Sequence, residues 1–347
     1  QELTSPFDPL TFTHVAGRGA DPFLPIAWGH AGIQASPTLE SLFSDPPMIG
    51  IQTARDTKSY SPIGTESWEV LGVIKANKSG AKDRVVGRLG EWAGLTDKQR
   101  HDEWVTGQTR RTNKQAPNPQ SLDPQLVREF TYRPLDTRWI YDSPQWVDWW
   151  REDLHKVLDA DPGCALVTIP HDHGRGPAAI ITNKLMDQHA FRGSDGGNGV
   201  WFQWRPQSAG IFTDQRAVVG SKRTGLSTLV LDWIDGLGHS SKFEEAFCYI
   251  VAVLNAPSYT QRFWKAIEVD SLRVPLTDDP QKFDVMAGLG AQCRDAWLAL
   301  RDSNRGSPGR EKVLGLWGRP STKRKWSRSP SRRCRPWFSR MDVISRV

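Results

Sequence analysis

Four short apolar runs in close succession do most to limit the architecture of this chain. Ala165–Pro170, Ala178–Asn183, Val200–Trp204 and Ser227–Trp233 are separated by clusters of Gly, Pro and Asp. Apolar runs of about four to eight residues bounded by turn-formers read as strands. Beyond them the period lengthens. Phe243–Leu254 reads as a nearly all-apolar helix stopped by Asn255 and Pro257, and Ser258 caps a second over Tyr259–Ile267. Asp279–Pro280 opens a third that runs to about Leu300, with Pro280 at the first helical position, where its missing N–H costs nothing. Strands followed by a helical finish predict an α+β domain with a mixed sheet and a helical C-terminal part.

Upstream, residues 1–50 are rich in Pro, Gly and Ser and read as loops and short strands, the trailing edge of a preceding domain. Ile49–Asp56 reads as a short strand running into a turn. Helical spacing follows over 66–106: Trp68, Leu71 and Ile74, then Val85, Leu89 and Trp92, then Asp97 to Val105 behind Thr96 as N-cap. A polar, Pro-containing stretch after it reads as an exposed loop. The segment Val127–Pro144 precedes "QWVDWWREDLHKVLDA", which reads as a Trp-rich amphipathic helix.

Charge is distributed unevenly. The formal net charge of +6 hides a tail, 301–347, with 14 Lys and Arg against three acids, and a body with 31 basic and 36 acidic residues. The tail is rich in Arg, Ser and Pro without any apolar period, so it cannot offset its chain entropy by burial, and disorder is the expectation. A basic arm on nucleic-acid phosphates is the functional reading. A solvated end, or one unrelated to the fold through a shifted reading frame, is preferred to it. Four cysteines, Cys164, Cys248, Cys293 and Cys334, with no C-x-x-C pair, exclude a disulfide framework and a zinc ribbon. No apolar stretch spans a bilayer and no signal-peptide layout is present, so no membrane partner and a cytoplasmic setting are expected. The chain begins at Gln1, and a fragment whose chemistry lies upstream is one reading of that start.

His171 and His173 flank Asp172 and invite a metal site, but no third strong ligand has suitable spacing, and a polar turn is the preferred reading. The glycine-rich segment Phe191–Gly199 lacks the helix that a phosphate cradle needs, since it leads into the strand-like "VWFQW". As a mobile loop beside Gln188, His189 and Arg192 it could reach base edges in a DNA groove. The 16 tryptophans could stack on bases or sugars, although at their spacing most read as core. No G-x-S-x-G, Walker A or H-E-x-x-H motif is present, and no catalytic residue is assigned.

The segment "YRPLDTRWIYDSP", Tyr132–Pro144, closely resembles the Y-R-P-F-D-x-R-W-I-Y motif of the C-terminal specificity (target-recognition) domain of type ISP restriction-modification enzymes and related adenine-specific DNA methyltransferases, some fused to nucleases. "GIQTARD", Gly50–Asp56 with Arg55 and Asp56, is similar to the G-x-x-T-x-R-D element ahead of that motif. The stretch Tyr249–Leu300 is similar to the family's closing helices. The resemblance covers about 50–300. It implies a preceding methyltransferase domain that uses S-adenosylmethionine and flips the target adenine from the duplex. Residues 1–50 then trail from that domain, 51–300 form the target-recognition domain and 301–347 the basic tail. The N-P-P-Y/F motif and the S-adenosylmethionine loop are missing, as are helicase and nuclease motifs, so no cofactor is expected in this chain and it should specify DNA without methylating it alone. The tail from about 301 looks unlike the family's ending.

Asp136 and Arg138, two apart in a strand, point to one side and can pair, while Trp139 faces the other. A buried ion pair that organises the domain, with Tyr132, Asp136 and Trp139 as structural residues, is preferred to a role for Arg133 and Arg138 on phosphate or guanine. Base readout is expected in loops, from His189, Arg192, Lys222 and Arg223. Double-stranded DNA and the upstream methyltransferase, with helicase or nuclease domains, are the expected partners. The alternatives are a Trp-rich metal-dependent hydrolase or carbohydrate-binding module using His171 and His173, and an inactive remnant.

Overall fold

A computed structural model describes residues 12–13, 24–25, 33–52, 74–75, 81–106, 118–134, 136–168, 177–191, 198–207, 214–256, 258–260, 263 and 271–299. The strands are β1 (Phe12–Thr13), β2 (Leu24–Pro25), β3 (Ile74–Lys75), β4 (Val127–Arg133), β5 (Asp136–Tyr141), β6 (Ala165–Thr168), β7 (Ala179–Thr182), β8 (Leu185–Met186), β9 (Gly199–Phe202), β10 (Trp204–Pro206), β11 (Val218–Val219) and β12 (Lys222–Thr224). The helices are α1 (Leu39–Leu42), α2 (Ala81–Gly94), α3 (Asp97–Thr106), α4 (Glu152–Asp159), α5 (Thr228–Gly236), α6 (Phe243–Asn255) and α7 (Pro280–Leu298). The fold is α+β. Among the described residues three of four small sheets are purely antiparallel, whereas the sheet β3-β5-β4-β8 is mixed because β4 and β8 run parallel.

The mixed sheet separates two cores. Phe130 and Arg138 pair across β4 and β5, and Phe130 is buried in the larger core with β6, β7, β9, α5, α6 and α7. Trp139 and Glu129 pair one residue further along, so by strand alternation they face the other side. There Trp139 packs against a smaller core of Val85, Leu89 and Trp92 from α2, Trp104 from α3, Val127, Tyr141 and Trp146. The three tryptophans meet edge to face, with ring centroids 5.0–6.2 Å apart. Such pairs add about 0.5–1.5 kcal/mol each beyond burial.

Three of the four expected strands form as β6, β7 and β9, and their antiparallel pairing places β6 in the middle. The fourth does not. Ser227–Trp233 lies in α5, whose buried residues Val230, Leu231 and Ile234 follow helical spacing and whose first amides bond back to the Ser227 carbonyl. A short apolar run does not distinguish a strand from a buried helix, and contact with the larger core settles it here.

The Trp-rich helix is also shorter than expected. Only Glu152–Asp159 is helical, because Trp146 and Val147 close a turn on the Ser143 carbonyl and Trp149 pairs with Gln52 as in a sheet. Ile74 belongs to β3, paired with Trp139, and not to a helix. The α2 and α3 helices form as expected, with Thr96 and Gln99 bonding reciprocally at the start of α3. Asp279 caps α7 ahead of Pro280.

Two points of close contact hold the frame. At Gly290 of α7 an added Cβ would lie 1.8 Å from the Cys248 carbonyl oxygen of α6, so the two helices touch backbone to backbone. On the mixed sheet, the buried Asp142 carboxylate accepts from Arg128 (3.1 Å) and Trp150 Nε1 (3.0 Å). His155 Nε2 lies 2.8 and 2.9 Å from its two oxygens, which fastens α4 to β5.

Candidate nucleic-acid interface

The two sequence segments that carry the family resemblance meet at residues 186–188. Ile51 donates to the Met186 carbonyl (3.0 Å), and Gln188 donates to the Ile51 carbonyl (2.7 Å). Gly50 is needed for this approach: an added Cβ would stand 2.6 Å from the carbonyl oxygens of both Met186 and Asp187. From the other side Asp187 donates to the Thr131 carbonyl of β4 (2.9 Å). Asp187 is therefore gripped between "GIQTARD" and "YRPLDTRWIY".

Its side chain organises what surrounds it. The buried carboxylate accepts from Arg133 Nη1 and from the backbone N–H of His189, both at 2.8 Å, while His189 Nδ1 lies 3.9 Å away. Arg133 also donates to the Tyr132 carbonyl (2.5 Å), and its guanidinium lies 4.0 Å from the centre of the Tyr132 ring. Arg138, buried, lies 3.5 Å from the same ring. One tyrosine thus carries two guanidiniums, each favourable against the ring quadrupole. The Asp136 backbone lies in β5, where it pairs with Arg133.

The base of the glycine-rich segment abuts this junction. Phe191 donates to Asn198 Oδ1 (2.8 Å), Asn198 Nδ2 donates back to the Phe191 carbonyl (3.2 Å), and Asn198 N–H reaches the Gln188 carbonyl (2.8 Å). These bonds tie Phe191 and Asn198, the residues on either side of the segment, to each other. Arg192 itself, with Arg55, Asp56, His171, Asp172 and His173, lies outside the described residues.

Lys222 and Arg223 sit elsewhere, in strand β12 rather than in a loop. Lys222 Nζ bonds the Asp161 carboxylate (2.8 Å) and carbonyl (2.6 Å) on the surface. Arg223 holds both Asp45 oxygens at 2.7 Å and Ser44 Oγ at 2.8 Å. The structure therefore brings Arg133 and His189 together through Asp187 and leaves Lys222 and Arg223 on a second patch. Sequence reasoning missed Asp187 and Asp45. The only trace of the first was its place beside Gln188 and His189, and nothing local marks the second.

Among the described residues no group of three His, Cys, Asp or Glu could hold a metal ion. Trp92, Trp104, Trp146 and Trp201 are buried, so they are not available as sugar platforms. Burial pushes the thiols of Cys164, Cys248 and Cys293 up, to about 12, 11 and 12, which makes them inert rather than nucleophilic. Among the described residues no helix is long and apolar enough to cross a membrane.

An α+β frame brings Arg133, His189 and the two ends of the glycine-rich segment together around Asp187. The chain belongs to the family described as the Type ISP C-terminal specificity domain, whose model matches residues 46–326. The match runs past 300 into the basic segment. Among solved structures, the chain is similar to the ATP-dependent Type ISP restriction-modification enzyme LlaBIII bound to DNA, at 16% identity and a TM-score of 0.50 over 85% of this chain and 17% of that one. It is similar too to the DrdV–DNA complex (17% identity, TM-score 0.46, 74% and 23% covered). A nuclease-deletion mutant of the Type ISP enzyme LlaGI with a DNA substrate mimic also matches (15%, 0.45, 77% and 23%). The chain spans about a fifth of the length of these proteins. No curated protein matches it.

Proposed function

We propose that this chain reads the DNA target for a restriction-modification enzyme whose methyltransferase domain modifies adenine. The observation that carries this reading is the membership of residues 46–326 in the specificity-domain family, together with the meeting of its two motif segments at Asp187. Arg133 is held by Asp187 and by the Tyr132 ring, so its fork is oriented before any ligand arrives. Preorganised guanidiniums recognise guanine or phosphate at a smaller entropic cost than free ones. His189 and Arg192, at the neck of and within the glycine-rich loop, are the base-reading residues in this reading. Arg138, buried, stacks on the Tyr132 ring that also carries Arg133.

S-adenosylmethionine belongs to the preceding methyltransferase domain. The glycine-rich segment here leads into strand β9 and not into a helix N-terminus, the element that usually holds an anionic group.

The test is selection of bound duplexes from a randomised library, followed by sequencing. A short fixed motif is expected. In the wild-type background Arg192→Ala should weaken cognate binding by about 1–3 kcal/mol while sparing random duplex. Enrichment of no motif over repeated rounds would refute target reading by this chain.

A further inference from the structure

The second cationic patch has an unusual construction. Strands β10 and β12 pair so that Arg205 stands directly opposite Arg223. Like charges in such a cross-strand position destabilise a sheet. One carboxylate, Asp45, lies between them and is committed to Arg223, which grips it with two contacts of 2.7 Å. Arg205 Nε is 3.7 Å from the same carboxylate, an ion pair without a hydrogen bond. Among the described residues no hydrogen bond reaches the Arg205 guanidinium, which leaves its donors open. Yet the side chain is only 15% exposed, at the edge of a recess with Phe43, Pro46, Trp201, Phe202 and Gly225. Burial, and secondarily the Arg223 charge, hold its proton affinity below the usual guanidinium range, while Asp45 and, more weakly, Asp153 act against them.

A half-desolvated cation with open donors, beside a second one already neutralised, suits an anionic ligand. We infer that Arg205, with Arg223 and Asp45, forms a phosphate clamp for the DNA backbone, an assignment that rests on the target-reading function. Phosphate contacts set register and orientation, and base contacts carry the sequence information. The clamp is well placed for that division. Strand β9 leads from the end of the glycine-rich segment at Gly199 towards Arg205, a span of at most about 20 Å at the rise of an extended chain. That is shorter than one turn of the duplex, about 34 Å.

The test is binding of the full chain to a fluorescent duplex of arbitrary sequence, titrated in salt. Arg205→Gln should lower affinity about 3- to 10-fold and flatten the slope of log K against log salt by about 1. Asp45→Asn should do the opposite, with tighter binding at low salt and a slope steeper by about 1, because it frees a second positive charge. That sign separates a clamp from a merely structural ion pair, and Asp45→Asn carries the test if Arg205→Gln does not fold. Unchanged slopes in both variants would overturn the clamp while leaving target reading intact, as would weaker binding by Asp45→Asn. Failure of the wild-type chain to bind any duplex would instead overturn the target-reading function. Inorganic phosphate that raises the melting temperature of the wild type but not of Arg205→Gln, with the duplex slopes unchanged, would assign the site to a small anion and overturn the DNA clamp.

Discussion

Replacing Asp187 with alanine removes the acceptor shared by Arg133 Nη1 and the His189 backbone N–H, each 2.8 Å away. The loss of this bond to a carboxylate, which leaves a part-buried amide unpaired, costs about 2 kcal/mol. The Arg133 contact is charge-assisted, but its side chain is 37% exposed, so solvent recovers part of it and about 1 kcal/mol remains. The sum, near 3 kcal/mol, shifts the folding equilibrium roughly a hundredfold. Asp187→Asn keeps an acceptor for the His189 amide and loses only the charge, so it should cost about 1 kcal/mol. Urea denaturation followed by tryptophan fluorescence measures both, and an unchanged m-value would show that stability alone has moved. A double cycle with Arg133→Ala should return a coupling of about 1 kcal/mol. If Asp187→Ala stays within about 0.5 kcal/mol of wild type, or if the two substitutions add without coupling, Asp187 does not organise this junction.

Gly290→Ala should destabilise by about 3 kcal/mol or more, seen as a large drop in melting temperature, because its Cβ meets the Cys248 carbonyl at 1.8 Å and two helices must separate. An unchanged melting temperature would mean that α6 and α7 do not touch there. Asp142→Ala should cost about 3 kcal/mol by urea titration, since Arg128, Trp150 and His155 all converge on its carboxylate, and a neutral result would dissolve that knot. With a thiol reagent at about pH 8, Cys164, Cys248 and Cys293 should react slowly until the chain is unfolded, because their buried thiols sit far above that pH. Fast reaction at any of the three in native conditions would contradict their burial.

Much of the frame was legible in the sequence. The α6 and α7 helices carry strong local signals, a long apolar run in one and Asp279–Pro280 in the other, and β6, β7 and β9 are bounded by turn residues. The α+β class followed from their order. Ser227–Trp233 was not legible, because a run of seven mostly apolar residues satisfies either period until the buried face is known. The Trp-rich helix failed for a related reason: pairing of Trp149 with Gln52, nearly a hundred residues away, outweighs local helical preference.

The candidate site divides along the same line. The motif residues Tyr132, Arg133 and Arg138 stand out in the chain because they are close in sequence and unusual in combination. What each of them touches does not. Asp187 reaches Arg133 across 54 positions, and Asp45 reaches Arg223 across 178. Periodicity, capping and turn chemistry are local codes, so the amino-acid order alone determined the class of fold, the main helices and the identity of the motif. Which charges neutralise one another depends on strand register and on the meeting of distant loops. Only the tertiary structure could therefore show that Arg133 is held in place while Arg205, opposite another arginine, is left with open donors.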